Sequence, residues 1–273
     1  MSQLSAVGPV VLIGAGKMGL ALARGWLKAG LPAGKLILVD PKPADETTEF
    51  ARAHGVTLAA TASGGGIGVL VLAVKPQIIG AVLAQLEPAI GPETLVISIA
   101  AGIGLQRLTT GLNTQRVIRT MPNTPAQIGK GITGAVAANG VTTADKAIAT
   151  ALLQAAGPAV WLGAESQIDA VTAVSGSGPA YVFHLVEALA AAGERQGLAP
   201  EIAMQLARQT VIGSAALLEA DPAPAAQLRQ NVTSPNGTTA AALAVLMGDD
   251  GLTSLIDRAV EAARQRSEEL GRS

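Results

Sequence analysis

"PVVLIGAGKMGLALARGWLKAG", residues 9–30, joins a short β-branched run to an amphipathic stretch through three glycines. The apolar run predicts a buried strand, and the spacing after it predicts a helix closed by Gly30. Between them Gly14, Ala15, Gly16, Lys17, Met18 and Gly19 form G-x-G-x-x-G. The first glycine permits the tight turn, and the second lets the backbone approach a pyrophosphate. The third allows close packing of helix on strand, while the helix N–H groups and dipole face the anion. The flanking elements favour dinucleotide binding over a plain strand-to-helix turn.

Working outward, "KLILVD" (35–40) reads as a second strand with Asp40 at its end. An acid there accepts hydrogen bonds from the adenosine ribose hydroxyls, which favours NADH because a 2′-phosphate would meet a like charge. Lys42, in "VDPKP", could instead pair with that phosphate and favour NADPH. Asp40 could also simply start a turn beside a solvated Lys42. "VTLAA", "GVLVLAV", "TLVISIA", "RVIRTMP", "TGAVAAN" and "PAVWLG" continue the strand signal, with helices predicted at "DETTEFARAHG", "PQIIGAVLAQLEPAI" and "TADKAIATALLQAAG". This alternation predicts a Rossmann-type doubly wound α/β sheet over residues 1–163. In such sheets ligands lie outside the carboxyl ends of the strands. "AVKP" (Ala73, Val74, Lys75, Pro76) and the Ile99, Ala100, Ala101 run of "SIAAG" end two buried strands, and so should line the nicotinamide half.

Residues 164–273 carry no strand signal and read as an all-α domain, with helices at 179–196, 200–220, about 223–231, 238–247 and 252–270. "PAYVFHLVEALAAAG" and "ALARQTVIGSAALLEA" are apolar on more than one face. Helices of that kind must be buried on most sides, which predicts subunit pairing through this domain.

The 273-residue chain is 49% hydrophobic and 14% charged, with a formal charge of −1, no cysteine and two histidines. A compact globular protein of two domains follows. The charge balance gives no reason to expect nucleic acid or an anionic membrane. No apolar run reaches the length of a membrane span, and "MSQLSAVGP" lacks a basic leader region. The expected partners are small molecules and the expected location cytoplasmic. Lack of cysteine removes disulfides and thiolate catalysis, and no His/Asp/Glu cluster has metal-ligand spacing, so no metal is expected. His54 reads as a solvated helix-end cation and His184 as a structural residue.

The glycine loop, "AVKP", "IRTMPNTPA" (118–126), "DAVTAVSGSGPAY" (169–181) and "VTSPNGTT" (232–239) occur in order along the whole chain, which thereby resembles pyrroline-5-carboxylate reductases. The resemblance implies a Rossmann domain followed by a helical domain through which subunits interlock as dimers, often assembled into decamers. It implies reduction of the cyclic imine of Δ1-pyrroline-5-carboxylate to L-proline with NADPH or NADH. It places Ile13 to Met18, Ala73 to Pro76 and Ile99 to Ala101 along the dinucleotide, with Met121, Pro122 and Asn123 near the nicotinamide. It places Glu165, Asn231, Ser234, Thr238 and Thr239 around the substrate, the last four in the helical domain and open to being supplied by a neighbouring subunit. Two departures stand out: Asn236 occupies a position where the family usually has glycine, and "AATASGGG" (59–66) lacks an Asn used by some relatives near the cofactor.

The residues themselves fit such chemistry. A protonated imine carbon is already electrophilic and yields a neutral amine on hydride addition, so no strong acid need protonate an alkoxide. Alignment, exclusion of water and a grip on the carboxylate suffice. Residues 237–240 open a helix, so the amides of Gly237, Thr238, Thr239 and Ala240 have no intrahelical acceptor and suit a carboxylate, to which Ser234, Thr238 and Thr239 can add hydroxyls. Thr239 is the expected catalytic residue, able to donate to or accept from the substrate nitrogen. Without the resemblance, a plain hydroxyl-rich N-cap would be an equal reading. A 3-hydroxyacid dehydrogenase is the alternative enzyme, but its catalytic Lys is missing from helix 179–196. A non-catalytic dinucleotide sensor is the other alternative, and no effector element is visible for it.

Overall fold

The computed structural model describes residues 3–62 and 66–272. The first part of the chain comprises β1 (Val10–Ile13), α1 (Lys17–Lys28), β2 (Leu36–Val39), α2 (Asp45–His54), β3 (Thr57–Ala59), β4 (Val69–Leu72), α3 (Ile79–Leu86), β5 (Leu95–Ser98), α4 (Leu105–Gly111), β6 (Val117–Met121), β7 (Thr133–Ala137), α5 (Thr143–Gln154) and β8 (Ala159–Trp161). Among the described residues the strands form one sheet in the order β3-β2-β1-β4-β5-β6-β7-β8. Strand residues alternate between the faces. Val10 and Leu12 join the Leu20 and Trp26 side of α1, Phe50 of α2 and Leu152 of α5 in one core layer. Val11, Ile13 and Leu70 face the other way, onto Leu83 of α3 and Leu108 of α4. A strand buried on both faces is apolar at nearly every position, which is why β1 and β4 read as unbroken runs and β5 departs only at Ser98.

The parallel pairing breaks once among the described strands. β6 and β7 pair antiparallel, Met121 opposite Gly134, whereas the other neighbours are parallel. The intervening residues 122–132 are too few for a crossover helix and form only a 3-10 turn at Thr124–Ile128. The single helix expected from Pro76 is likewise divided, with 3-10 turns at Pro76–Ile78 and Glu87–Ala89 flanking α3. Pro88 offers no N–H to continue an α-helix, so α3 stops at Leu86.

The remaining elements are α6 (Gln167–Val171), a π turn (Thr172–Gly176), α7 (Gly178–Arg195), α8 (Pro200–Ala220), α9 (Ala225–Asn231), α10 (Thr238–Leu246) and α11 (Leu252–Arg272). By packing, the chain forms two compact units: residues Met1–Gly176 with Arg264–Ser273, and residues Ser177–Ala263. The strand signal ends near Gly163, but α6 covers β6 and β7 and therefore packs with the sheet. The end of α11 also belongs to the first unit, where the Ser267 hydroxyl donates to Asp169 Oδ1 at 2.7 Å. Within the second unit α7 packs along α8 through small residues: a Cβ on Gly193 would lie 3.3 Å from that of Ala203. Ala190, Ala203 and Ala207 are its buried residues, while Phe183, Leu206 and Leu217 are 64%, 53% and 62% exposed.

Candidate active site

The glycine loop lies between β1 and α1. Gly14 has φ 90°, and a Cβ there would lie 2.7 Å from the Ala73 carbonyl oxygen. A Cβ on Gly19 would overlap the Gly14 carbonyl oxygen, so only glycine brings the helix this close to the strand. Gly16 differs: its Cβ would meet nothing within 4 Å. That open side sits beside the start of α1, where no side chain caps the helix and the Lys17, Met18 and Gly19 amides have no intrahelical acceptor. A pyrophosphate fits both the space and the donors. Asp40 braces the loop from β2. Its Oδ2 accepts from the Ala15 amide at 3.2 Å, and its Oδ1 from the Lys42 amide at 3.0 Å. Asp40 thus starts a turn, and lone pairs remain on the carboxylate for ribose hydroxyls. Thr47 adds a buried bond, its hydroxyl donating to the Ala15 carbonyl at 2.8 Å.

The Ala73–Pro76 segment leaves β4 beside the loop, the Ala73 amide donating to the Ile13 carbonyl at 2.8 Å. Ile99, Ala100 and Ala101 leave β5, with the Ala100 amide on Ser98 Oγ. Met121 ends β6, and Pro122 and Asn123 follow, both buried. Asn123 Oδ1 accepts from the Ile132 amide at 2.9 Å and so holds the return toward β7. The carboxyl ends of β1, β4, β5 and β6 are adjacent in the sheet, so these expected cofactor residues share one edge. Of the 59–66 segment, residues 63–65 lie outside the described residues.

Glu165 belongs to the first unit. Its Oε1 accepts from Arg119 Nη1 and from the Leu105 amide, each at 2.7 Å. The Arg119 side chain is 9% exposed. Sequence reading assigned no role to Arg119, although a charged residue within the buried strand "RVIRTMP" signals a paired partner.

Asn231, Ser234, Gly237, Thr238 and Thr239 come together on the α9–α10 connection of the second unit. Asn236 has φ 59°. Asn enters the left-handed region more readily than most residues, so the turn forms here without glycine at this position. Gly237 is the N-cap of α10, and its amide donates to the Ser234 carbonyl at 3.1 Å. This corrects one expectation: the turn uses the Gly237 N–H, leaving the Thr238, Thr239 and Ala240 amides as the helix-start donors. Ser234 and Thr238 are exposed and Thr239 half-buried. Asn231 Oδ1 accepts from Gln227 Nε2 at 2.8 Å. The histidines lie apart from this loop in sequence and are engaged locally. His54 Nδ1 is 2.9 Å from the Phe50 carbonyl oxygen, and exposed His184 pairs with Glu187 at 3.1 Å.

A family model described as pyrroline-5-carboxylate reductase dimerisation matches residues 165–270, and one described as NADP oxidoreductase, coenzyme F420-dependent, matches residues 9–102. The first begins at Glu165, ahead of the packing boundary at Gly176. The pyrroline-5-carboxylate reductase of Pseudomonas aeruginosa is 43% identical over 96% of both chains. A solved structure of the Coxiella burnetii enzyme matches with TM-score 0.89 and 34% identity, covering 98% of this chain and 100% of that one. The Plasmodium falciparum enzyme, solved with NADP bound, gives TM-score 0.79 and 29% identity over 98% and 99%. The 3-hydroxyacid dehydrogenase alternative falls away, since α7 carries no Lys. The helical half is a dimerisation domain, which accounts for its exposed apolar side chains, and no described helix is long and apolar enough to cross a membrane. With sequence likeness spanning nearly its whole length and the same fold beneath it, this chain belongs to the pyrroline-5-carboxylate reductase family.

Proposed function

We infer that the chain reduces Δ1-pyrroline-5-carboxylate to L-proline with NADPH or NADH, in the cytoplasm, as a homodimer paired through residues 164–273 and assembled further into a decamer. The observation that carries the reading is the α10 start, a turn with free amides suited to an anion, in a family named for reducing a substrate that bears a carboxylate. A bound reduced nicotinamide supplies the hydride. The chain supplies placement. The Thr238, Thr239 and Ala240 amides and the Ser234 hydroxyl grip the substrate carboxylate, with Asn231 and the Gly237 turn shaping the loop. Thr239 holds the ring nitrogen, accepting from its N–H while the imine is protonated. The hydride adds to the imine carbon, the C=N π pair becomes the nitrogen lone pair, and the nitrogen keeps its proton. No alkoxide forms, which is why a site without a strong acid can work.

The dinucleotide assignment covers residues 1–163: the glycine loop for the pyrophosphate, Ala73–Pro76 and Ile99–Ala101 along the chain of the cofactor, and Met121–Asn123 at its nicotinamide end. NADPH is the expected first choice, with Lys42 facing the 2′-phosphate and Asp40, already occupied in bracing Ala15, kept to the ribose. Following NADPH and NADH oxidation with pyrroline-5-carboxylate tests the reading, and absence of turnover with both would end it. Lys42→Ala should shift the kcat/KM ratio toward NADH. Thr239→Ala should lower kcat/KM by about 1–3 kcal/mol through loss of a charged hydrogen bond, and unchanged kinetics would remove Thr239 from the mechanism.

A further inference from the structure

The loop between β5 and α4, residues 99–104, has the sequence "IAAGIG". It lines the expected nicotinamide side but has no polar side chain with which to anchor itself. At its start the Ala100 amide rests on Ser98 Oγ at 3.3 Å. At its end Gly104 is the N-cap of α4 and has no side chain to cap it. Glu165, 60 residues away in sequence, fills that role: its Oε1 accepts the Leu105 amide at 2.7 Å, and a Cβ on Gly104 would lie 3.4 Å from the same oxygen. A carboxylate at a helix start is favoured by the unsatisfied N–H groups and the dipole. The same oxygen accepts from Arg119 Nη1 at 2.7 Å. Arg119 and Met121 point to one face of β6 because strand side chains alternate, and Gly176 closes that face over the Met121 methyl, its would-be Cβ 2.8 Å away.

We propose that Glu165 is a positioning residue, joining Arg119 of β6 to the first amide of α4 so that the 99–104 loop and the Met121 end of β6 are held at one spacing for the nicotinamide half of the cofactor. This rests on the dinucleotide reading given above and replaces a direct substrate role for Glu165. A carboxylate beside the substrate would repel the substrate's own carboxylate, and Oε1 is already shared between two donors. The buried Arg119 cation in turn needs Glu165, because an unpaired charge there is costly.

The test uses the full-length assembled protein with Glu165→Gln, Arg119→Met and the double variant, measuring NADPH affinity by calorimetry and both KM values by steady-state kinetics. Glu165→Gln keeps an acceptor for Leu105 and loses the charge for Arg119. It should weaken NADPH binding about tenfold and lower kcat, since small misplacements near the reacting atoms are amplified. The KM for the imine should change by less than about twofold. The double variant should be no worse than the poorer single one, as expected for two residues acting through one contact. A rise in imine KM at unchanged NADPH affinity would return Glu165 to the substrate and overturn the proposal, as would additive effects or no change in either constant. Arg119→Lys, which retains the cation with one donor group in place of the fork, should recover part of the NADPH affinity lost in Arg119→Met, and no recovery counts against the pairing. Wild-type protein that binds NADPH but does not turn over pyrroline-5-carboxylate would sink the enzymatic reading alone, because the calorimetric comparison needs no turnover.

Discussion

Each unit presents a helix start that no side chain caps, and the two stand on opposite kinds of foundation. In the first, the glycine loop stands on a core that the chain completes itself: Leu12, Leu38, Leu70 and Leu72 have no exposed surface, and Asp40 and Thr47 pin the loop from neighbouring elements. In the second, the α10 start belongs to a bundle whose buried residues are three alanines, and large apolar side chains face outward on α7 and α8. A helical unit with that surface is completed by another subunit, in keeping with the dimerisation domain it matches. The glycine loop is therefore built on packing within one chain, and the α10 turn on a unit with little buried core of its own.

The largest expected effect comes from removing apolar volume where the chain buries it alone. Leu70→Ala, at a fully buried position of β4, should cost about 3–5 kcal/mol, and by the same amount at every protein concentration. A melting midpoint that instead recovered on concentrating the variant would mean that this core too depends on association. The paired experiment on the second unit is Phe183→Ser with Leu217→Ser, both exposed in the single chain. It should weaken association by about 2 kcal/mol or more, seen as a shift toward monomer in sedimentation and a midpoint that falls on dilution. Unaltered sedimentation would place the subunit contact on another face.

A smaller effect, confined to the first unit, tests its electrostatics. Asp145 is buried, caps α5 in a reciprocal box with Thr142, and pairs with Arg116 at 2.6 Å. Burial alone would raise its carboxyl, but the Arg116 hydrogen bond and those from Thr142 outweigh burial and hold it below the usual range. Asp145 is thus more acidic folded than unfolded. Its contribution is full above the ordinary carboxylate range, near pH 4, and is lost as pH falls through the lower folded value. Asp145→Asn should lower stability by about 2 kcal/mol at neutral pH and lose less than wild type on acidification. Equal acid sensitivity of the two proteins would contradict the pairing. The smallest change is expected at Asn236→Gly in the turn before α10. The left-handed φ is already tolerated, so relief of strain and added unfolded-state freedom should nearly cancel, within about 0.5 kcal/mol. A change in imine KM there would show that the Asn236 side chain reaches the substrate.

Much of this was legible along the chain. The glycine loop, the buried strands and the helix start at Thr238 each rest on local rules: periodicity, turn chemistry and orphaned amides. These act between residues close in sequence, so the order of residues states them. Arg119 could have been suspected, since a cation inside an apolar strand demands a partner, but nothing local names Glu165.

Sequence alone thus determined the doubly wound sheet, the helical second half, the glycine turn before α1 and the hydroxyl-rich turn, because hydrophobic period and backbone donors are local quantities. Tertiary structure decided what depends on elements meeting across long separations. It turned β7 antiparallel beside β6, returned the end of α11 to the first unit through Ser267 and Asp169, and used the Gly237 amide within its own turn. It also gave Glu165 to Arg119 and Leu105. The physical reason is the same in each case: a buried donor, acceptor or charge must be satisfied by whatever packing brings within reach, and distance along the chain does not encode that reach.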